Sequence, residues 1–294
     1  MIMTFIDNYF EILNIVRSEI NKTNSEILSA INLSPEFDPA LKTFLSTNPK
    51  RIRPLISYLY TRACGKNIDD RQLSFQSAIE IIHNASLIHD DVVDESDSRR
   101  GNLSLNKQFN NKLAILCGDY LLSIALEKLN NLNQPEIIDM CADTLKNMCI
   151  GEVNQYYSKF KITSIENYLE KTAQKTAKLF QTAVLGSVIL AGIEDRKSAY
   201  DFSLNFGIAF QIRDDLLNIT AKNDLKPLQS DIQNGIYNAP VILGGGISNL
   251  HDGIEKTKVL LNNYIDKAQN ALSNLEENEY KQALVKLLEL FRYE

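Results

Sequence analysis

Helical periodicity runs through almost all of this chain, and no segment alternates with the period of two that a half-buried strand needs. Phe5, Ile6, Tyr9, Phe10, Leu13, Val16 and Ile20 recur at spacings of three and four, the apolar face of one amphipathic helix. The same spacing predicts helices over 54–64, 69–94, 111–129, 135–159, 164–191, 195–219 and from 252 to the end. Breaks fall at Asn48-Pro49, Gly65, Arg100-Gly101, Gln134-Pro135, Gly192 and Lys226-Pro227, where backbone chemistry puts them. Twelve glycines and seven prolines in 294 residues are about half the usual share. That is too little punctuation for a sandwich or barrel of short strands. No linker, composition break or repeat divides the chain, so 1–294 reads as a single all-α domain.

The net charge of −6 lacks the basic footprint of a nucleic-acid binder. Cys64, Cys117, Cys141 and Cys149 include no Cys-x-x-Cys pair and read as reduced thiols of a cytoplasmic protein. Asp7 and Glu11 lie in the first sixteen residues, which is not the pattern of a signal peptide. The longest apolar stretch, Ala183 to Ile193, falls short of the roughly 18 residues of a spanning helix, so the chain is not expected to be transmembrane. Gly244-Gly245-Gly246 has no following Lys-Ser or Lys-Thr and reads as a helix terminator, not a phosphate loop.

The chemistry is concentrated in acidic and basic clusters. In Asp90-Asp91-Val92-Val93-Asp94, Asp90 and Asp94 share a helix face at i and i+4, with Asp91 about 100° round. Like charges at that spacing repel by a few tenths of a kcal/mol. The cluster is stable either fully solvated or holding a cation, and paired carboxylate oxygens suit magnesium. Asp214-Asp215-Leu216-Leu217-Asn218 repeats the pattern on another predicted helix. Two acidic helix faces across a cavity would hold several Mg2+ ions, which together bind a diphosphate. Lys50-Arg51-Ile52-Arg53-Pro54 and Arg99-Arg100-Gly101 add cations beside predicted helix ends, either as solvated patches or as phosphate grips. His83 lies two turns before Asp90 on nearly the same face, as a packing residue or a phosphate donor.

These blocks resemble the trans-polyprenyl diphosphate synthases, the head-to-tail prenyltransferases. The segment from Glu80 to Gly101 looks like the family's first aspartate-rich motif with its flanks, and Phe210-Gln211-Ile212-Arg213-Asp214-Asp215 looks like the second. Gly118-Asp119-Tyr120-Leu121-Leu122 and Lys175-Thr176-Ala177-Lys178-Leu179-Phe180 resemble blocks between them. The resemblance implies an all-α helical bundle around a central cavity, of isoprenoid synthase type. It implies a homodimer, or a heteromer with a small accessory subunit. By the same resemblance, Asp90, Asp91, Asp94, Asp214 and Asp215 bind magnesium, and Lys50, Arg53, His83 and Arg100 hold isopentenyl diphosphate. Arg99, Lys175, Thr176, Gln211 and Lys226 contact the allylic diphosphate.

Three departures stand out: Asn218 in place of a third aspartate, Ile236 and Asn238 where many members carry lysine and threonine, and Asn102-Leu103-Ser104 after the arginines. In this family, small residues before the first motif mark long products. Ala85 and Ser86 are small, and Ile82 continues that face without an aromatic plug. A hexaprenyl or heptaprenyl product is therefore expected. The alternatives are a short-chain farnesyl or geranylgeranyl synthase, and a weakly active or regulatory subunit of a heteromeric synthase.

Overall fold

The computed structural model describes residues 5–47, 49–220 and 230–293. Among them the chain forms helices α1 (Phe5–Asn14), α2 (Arg17–Ser29), α3 (Asp38–Ser46), α4 (Ile52–Ala63) and α5 (Asp70–Val93). A two-stranded antiparallel ribbon follows, β1 (Ser98–Arg99) with β2 (Asn102–Leu103). Helices α6 (Leu105–Gln108), α7 (Asn111–Asn131), α8 (Pro135–Tyr157) and α9 (Ile165–Thr172) come next. A single π-helical turn, Ala173–Ala177, joins α9 to α10 (Lys178–Leu190). The chain continues through α11 (Arg196–Thr220), α12 (Ser230–Gln233), α13 (Ala239–Leu243), α14 (Leu250–Asn270) and α15 (Glu279–Phe291).

The expected all-α class is the observed one, and three of the long periodic stretches are divided, 164–191 by the π-turn. The face read as one helix from Phe5 to Ile20 breaks between α1 and α2, around Ile15 and Val16. The stretch from Asp252 breaks between α14 and α15, where Asn278 caps α15 by accepting from the N–H groups of Tyr280 and Lys281. Its side-chain amide also donates to the Ala63 carbonyl at 2.9 Å, seating α15 against α4. Periodicity records which face is buried, and it continues through a break when both pieces bury the same side.

Helix α5 is the spine. It starts in a capping box: Asp69 accepts from the Gln72 N–H at 2.9 Å, and the Gln72 side chain accepts from the Asp69 N–H at 3.2 Å. Such reciprocal caps contribute on the order of 1 kcal/mol. One core packs α1, α4, α10, α11, α14 and α15 around Tyr58, Tyr60, Phe180, Phe202 and Phe206. The other packs α2, α3, α5 and α7 around Leu41, Phe75, Ile79 and Leu121. Phe75 of α5 lies against Gly186 of α10, where a Cβ would sit 2.1 Å from the ring. Each such fully buried side chain contributes about 1.5–3 kcal/mol. The packing leaves the C-terminal end of α5, the N-terminal end of α4 and the end of α8 around one cleft.

Candidate active site

The cleft has a volume of about 1030 Å³ and is lined by Lys50, Arg53, His83, Asp94, Arg99, Arg100, Lys159 and Asp231, among others. Non-glycine residues with left-handed backbone gather there: Arg51, Glu95, Arg100 and Phe160 have φ between 50° and 60°. Each costs on the order of 1 kcal/mol and persists only where the surroundings over-determine it.

The three aspartates of the first motif part company, and of them Asp94 alone lines the cleft. Asp91 is buried and held by the Arg99 guanidinium, with Nε 3.0 Å from Oδ1 and 3.3 Å from Oδ2 and Nη2 also on Oδ1. Asp90 is half-buried and Asp94 exposed. Burial pushes the Asp90 carboxyl up to about 6 against the pull of Lys175, with Glu152 and Asp94 adding to the rise. Arg100 and Gly101 both have positive φ, 53° and 84°, as a two-residue type I′ hairpin requires. Asn102, one of the sequence departures, pairs with Arg99 in that hairpin, and its amide donates to Thr47 at 3.2 Å.

The cation cradle comes from the start of α4, from α5 and from the hairpin. Arg51 is structural: its guanidinium meets Glu80 at 2.8 Å, Asn24 at 2.6 Å and the Leu45 carbonyl at 2.9 Å. Arg53 is buried, stacks its guanidinium 4.4 Å over Phe180, and leaves Nε without a protein partner among the described residues. Burial lowers its pKa to about 10. An orphaned buried donor costs about 1–3 kcal/mol, which a ligand oxygen restores. His83 faces Arg53, Arg100, Arg51 and Arg99, and burial first, then these four charges, holds its pKa well below 6.5. The imidazole is neutral and has a donor to offer. Lys50, Arg53, His83 and Arg100 thus share the cleft with Glu80, whose Oε2 pairs with Arg51 while its buried Oε1 has no partner among the described residues.

A second cluster is built on the π-turn, and Lys175, Thr176, Gln211, Asp214 and Asp215 are not among the residues that line the cleft. A Cβ on Gly151 of α8 would lie 3.0 Å from the Lys175 backbone nitrogen, and one on Gly207 of α11 would lie 2.6 Å from the Ala177 Cα. Two glycines therefore let α8 and α11 close on the bulge, a distortion common at functional sites. Lys175 ion-pairs with Glu152. Thr176 donates to the Gln211 side-chain oxygen at 2.8 Å, and Gln211 donates to Asp215 Oδ1 at 2.9 Å. The Tyr168 hydroxyl donates to Asp215 Oδ2 at 2.6 Å. Asp215 is buried, and burial pushes it up to about 7 against those two hydrogen bonds, whereas Asp214 is exposed. Asn238 donates to Asp231 at 2.9 Å, so this departure orients a cleft carboxylate. Ile236 lines the cleft. Lys226 lies outside the described residues.

The polyprenyl synthetase family matches residues 34–280. The chain belongs to this family. A decaprenyl-diphosphate synthase of Dictyostelium discoideum is 32% identical over 94% of this chain and 70% of its own length. A prenyl transferase of Cyanidium caldarium is 36% identical over 79% and 72%. Against solanesyl diphosphate synthase 2 of Arabidopsis thaliana, 32% identical, the match covers 79% of this chain and spans 58% of the relative. Among solved structures, the heptaprenyl diphosphate synthase of Staphylococcus aureus superposes with a TM-score of 0.89 at 28% identity, covering 94% of this chain and 97% of that one. A Caulobacter crescentus polyprenyl synthase, complexed with calcium and isoprenyl diphosphate, gives 0.88 at 25% identity, covering 96% and 97%.

Polyprenyl synthetases generally use magnesium, and the donors here suit it. Asp90 and Asp94 offer hard oxygens one turn apart, and burial raises the Asp90 carboxyl against the pull of Lys175. Among the described residues no three His, Cys, Asp or Glu side chains form a closed cage. Magnesium does not need one, because it takes one or two carboxylates and completes its octahedron with water and phosphate.

Ile82 and Ala85 are fully buried in the second core, which also holds Cys117 and Leu121. Ser86 is half-buried and donates to the His83 carbonyl at 2.8 Å. At that level of α5 the cleft wall itself is His83 and Leu87. Glu152, Tyr168 and Lys159 went unread in the sequence. Glu152 has a signal, since it follows a glycine inside a long helix. Tyr168 and Lys159 carry none.

Proposed function

We propose that this chain is a trans-prenyltransferase that condenses isopentenyl diphosphate with an allylic diphosphate and releases diphosphate, building a chain of hexaprenyl or heptaprenyl class. One observation carries the reading: a cradle of Lys50, Arg53, His83 and Arg100 shares a cleft with Asp94, which lies one helical turn after Asp90. That pairing suits two anionic substrates, one held by cations and one by metal. The solved relatives named as polyprenyl and heptaprenyl synthases support it.

Asp90, Asp94 and Asp214 would hold several magnesium ions, which when bound neutralise the allylic diphosphate. Asp91 fixes Arg99, and Asp215 is oriented by Tyr168 and Gln211. Arg99, Lys175, Thr176, Gln211 and Lys226 would grip the same diphosphate, stabilising the charge that develops as its C1–O bond breaks. Lys50, Arg53, neutral His83 and Arg100 hold isopentenyl diphosphate with its double bond toward the allylic carbon. The double bond supplies the electrons of the new C–C bond, and a proton then leaves to the released diphosphate. No side-chain nucleophile is required.

A homodimer belongs to the reading, because α7 and α8 expose Leu113, Leu116, Leu126, Ile150 and Val153, the kind of apolar surface that marks an interface. No helix among the described residues is long and apolar enough to cross a membrane. The cytoplasmic placement rests on four unpaired thiols. The deciding experiment incubates purified protein with labelled isopentenyl diphosphate, farnesyl diphosphate and magnesium, then sizes the dephosphorylated products. Thirty- to thirty-five-carbon alcohols are expected; no condensation by the chain alone would favour a regulatory subunit.

A further inference from the structure

The rim of the cleft formed by Asp231, Gln233, Asn234 and Ile236 contributes no cation. A cation arrives there from another element. Lys159, just past the end of α8, lines the cleft together with Phe160 and these rim residues. Its position is built. The Phe160 N–H donates to the Gly235 carbonyl at 2.7 Å, tying the α8–α9 connection to the rim. The Phe160 ring packs where a Gly235 Cβ would be, 2.7 Å from three ring carbons. Both residues have left-handed backbone, φ 60° and 73°. A non-glycine residue kept in that region marks a segment held by its contacts.

The Lys159 ammonium is also uncommitted. Arg99 is engaged by Asp91 and Lys175 by Glu152. Among the described residues Lys159 forms no ion pair; its nearest partner is the Tyr156 ring at 5.6 Å. Lys159 lines the cleft together with Asp94, and its charge acts on that carboxylate. A half-buried ammonium beside a metal-binding face, with no carboxylate of its own, suits a phosphate oxygen.

We propose that Lys159 binds the allylic diphosphate, supplying from the α8–α9 connection the cation that the Asp231–Asn238 rim lacks. Ile236 also sits on this rim, so Lys159 supplies the positive charge there from a different element. The proposal rests on the prenyltransferase reading and deepens it.

The test uses the full chain with Lys159→Gln and Lys159→Arg. Inorganic diphosphate is titrated calorimetrically in excess magnesium, and KM is measured separately for farnesyl diphosphate and isopentenyl diphosphate. Lys159→Gln is expected to weaken diphosphate binding about tenfold, the scale of one charge-assisted contact. The farnesyl diphosphate KM should rise by a similar factor while the isopentenyl diphosphate KM stays within about twofold, and Lys159→Arg should stay near wild type. Equal diphosphate affinity in wild type and Lys159→Gln overturns the proposal, as does a rise confined to the isopentenyl diphosphate KM. A shift in the magnesium requirement alone would mean that Lys159 only neutralises Asp94, and also overturns it. Wild-type protein that binds diphosphate through Lys159 yet condenses nothing would sink the activity and leave the site. Wild-type protein that binds no diphosphate would sink both. Unchanged thermal melting confirms that the variants fold.

Discussion

Glu152 of α8 and Lys175 of the π-turn form an ion pair beside Asp90 and Asp94, and both carboxyl groups of the motif feel both partners. The pair exists because Gly151 brings α8 against the bulge. Glu152 therefore holds Lys175 and adds negative charge beside the Asp90 and Asp94 carboxyls.

Magnesium demand should follow the charge on that face. Glu152→Gln removes one negative charge and is expected to raise the magnesium concentration for half-maximal rate several-fold. Asn218→Asp should lower it. Asn218 accepts a long 3.5 Å hydrogen bond from the Asp231 N–H, and a carboxylate there would add a stronger metal ligand. Titrating initial rate against magnesium checks both; a requirement unchanged in both variants places these residues outside the metal shell.

The three aspartates of the first motif should separate by phenotype. Asp90→Ala and Asp214→Ala should lower turnover at least ~10²-fold, the scale of losing a main electrostatic element, with little change in melting temperature. Asp91→Ala strips Arg99 of a buried partner and should cost about 2 kcal/mol of stability, below the 3–5 kcal/mol of fully buried pairs because Arg99 is partly exposed. Denaturant midpoints beside single-turnover rates would show the split. Near wild-type turnover in either alanine variant at position 90 or 214 removes the metal assignment.

Ala85→Phe tests where the product grows. Ala85 is fully buried between α5 and its neighbours, so a phenyl ring there overpacks by about 1–3 kcal/mol and blocks any passage along that face. The main product should shorten while the first condensation proceeds, because Asp90 lies beyond the change. Chromatography of dephosphorylated products decides it, and identical length distributions would move the tunnel elsewhere.

The pH dependence of stability should carry the mark of His83. Its folded pKa lies well below 6.5, so as pH falls through 6.5 the unfolded chain takes up a proton that the folded chain refuses. Stability is then present above 6.5 and lost below it, by up to about 1.4 kcal/mol per pH unit for this one group. Wild type should lose more stability between pH 7 and 5.5 than His83→Gln, measured by urea midpoints. Parallel curves would show that His83 titrates normally.

What the sequence determined by itself was whatever depends on neighbours along the chain. The i, i+4 spacing of Asp90 and Asp94, the punctuation at Gly65 and Gly192, and the cations at Lys50, Arg53 and Arg100 are all local, and the helical class follows from periodicity. The division of labour within each motif was decided by packing. Asp91 and Asp215 look equivalent to Asp90 and Asp214 in sequence, yet a hairpin arginine claims one and a tyrosine from α9 claims the other. The break inside 164–191 is a π-turn that Gly151 and Gly207 accommodate from two other helices, and no local signal announces it. Lys159 joins the cleft only because Phe160 and Gly235, far apart in the chain, fit together. Contacts of this kind depend on backbone approach distances, which are set when the helices pack and not by the residues on either side.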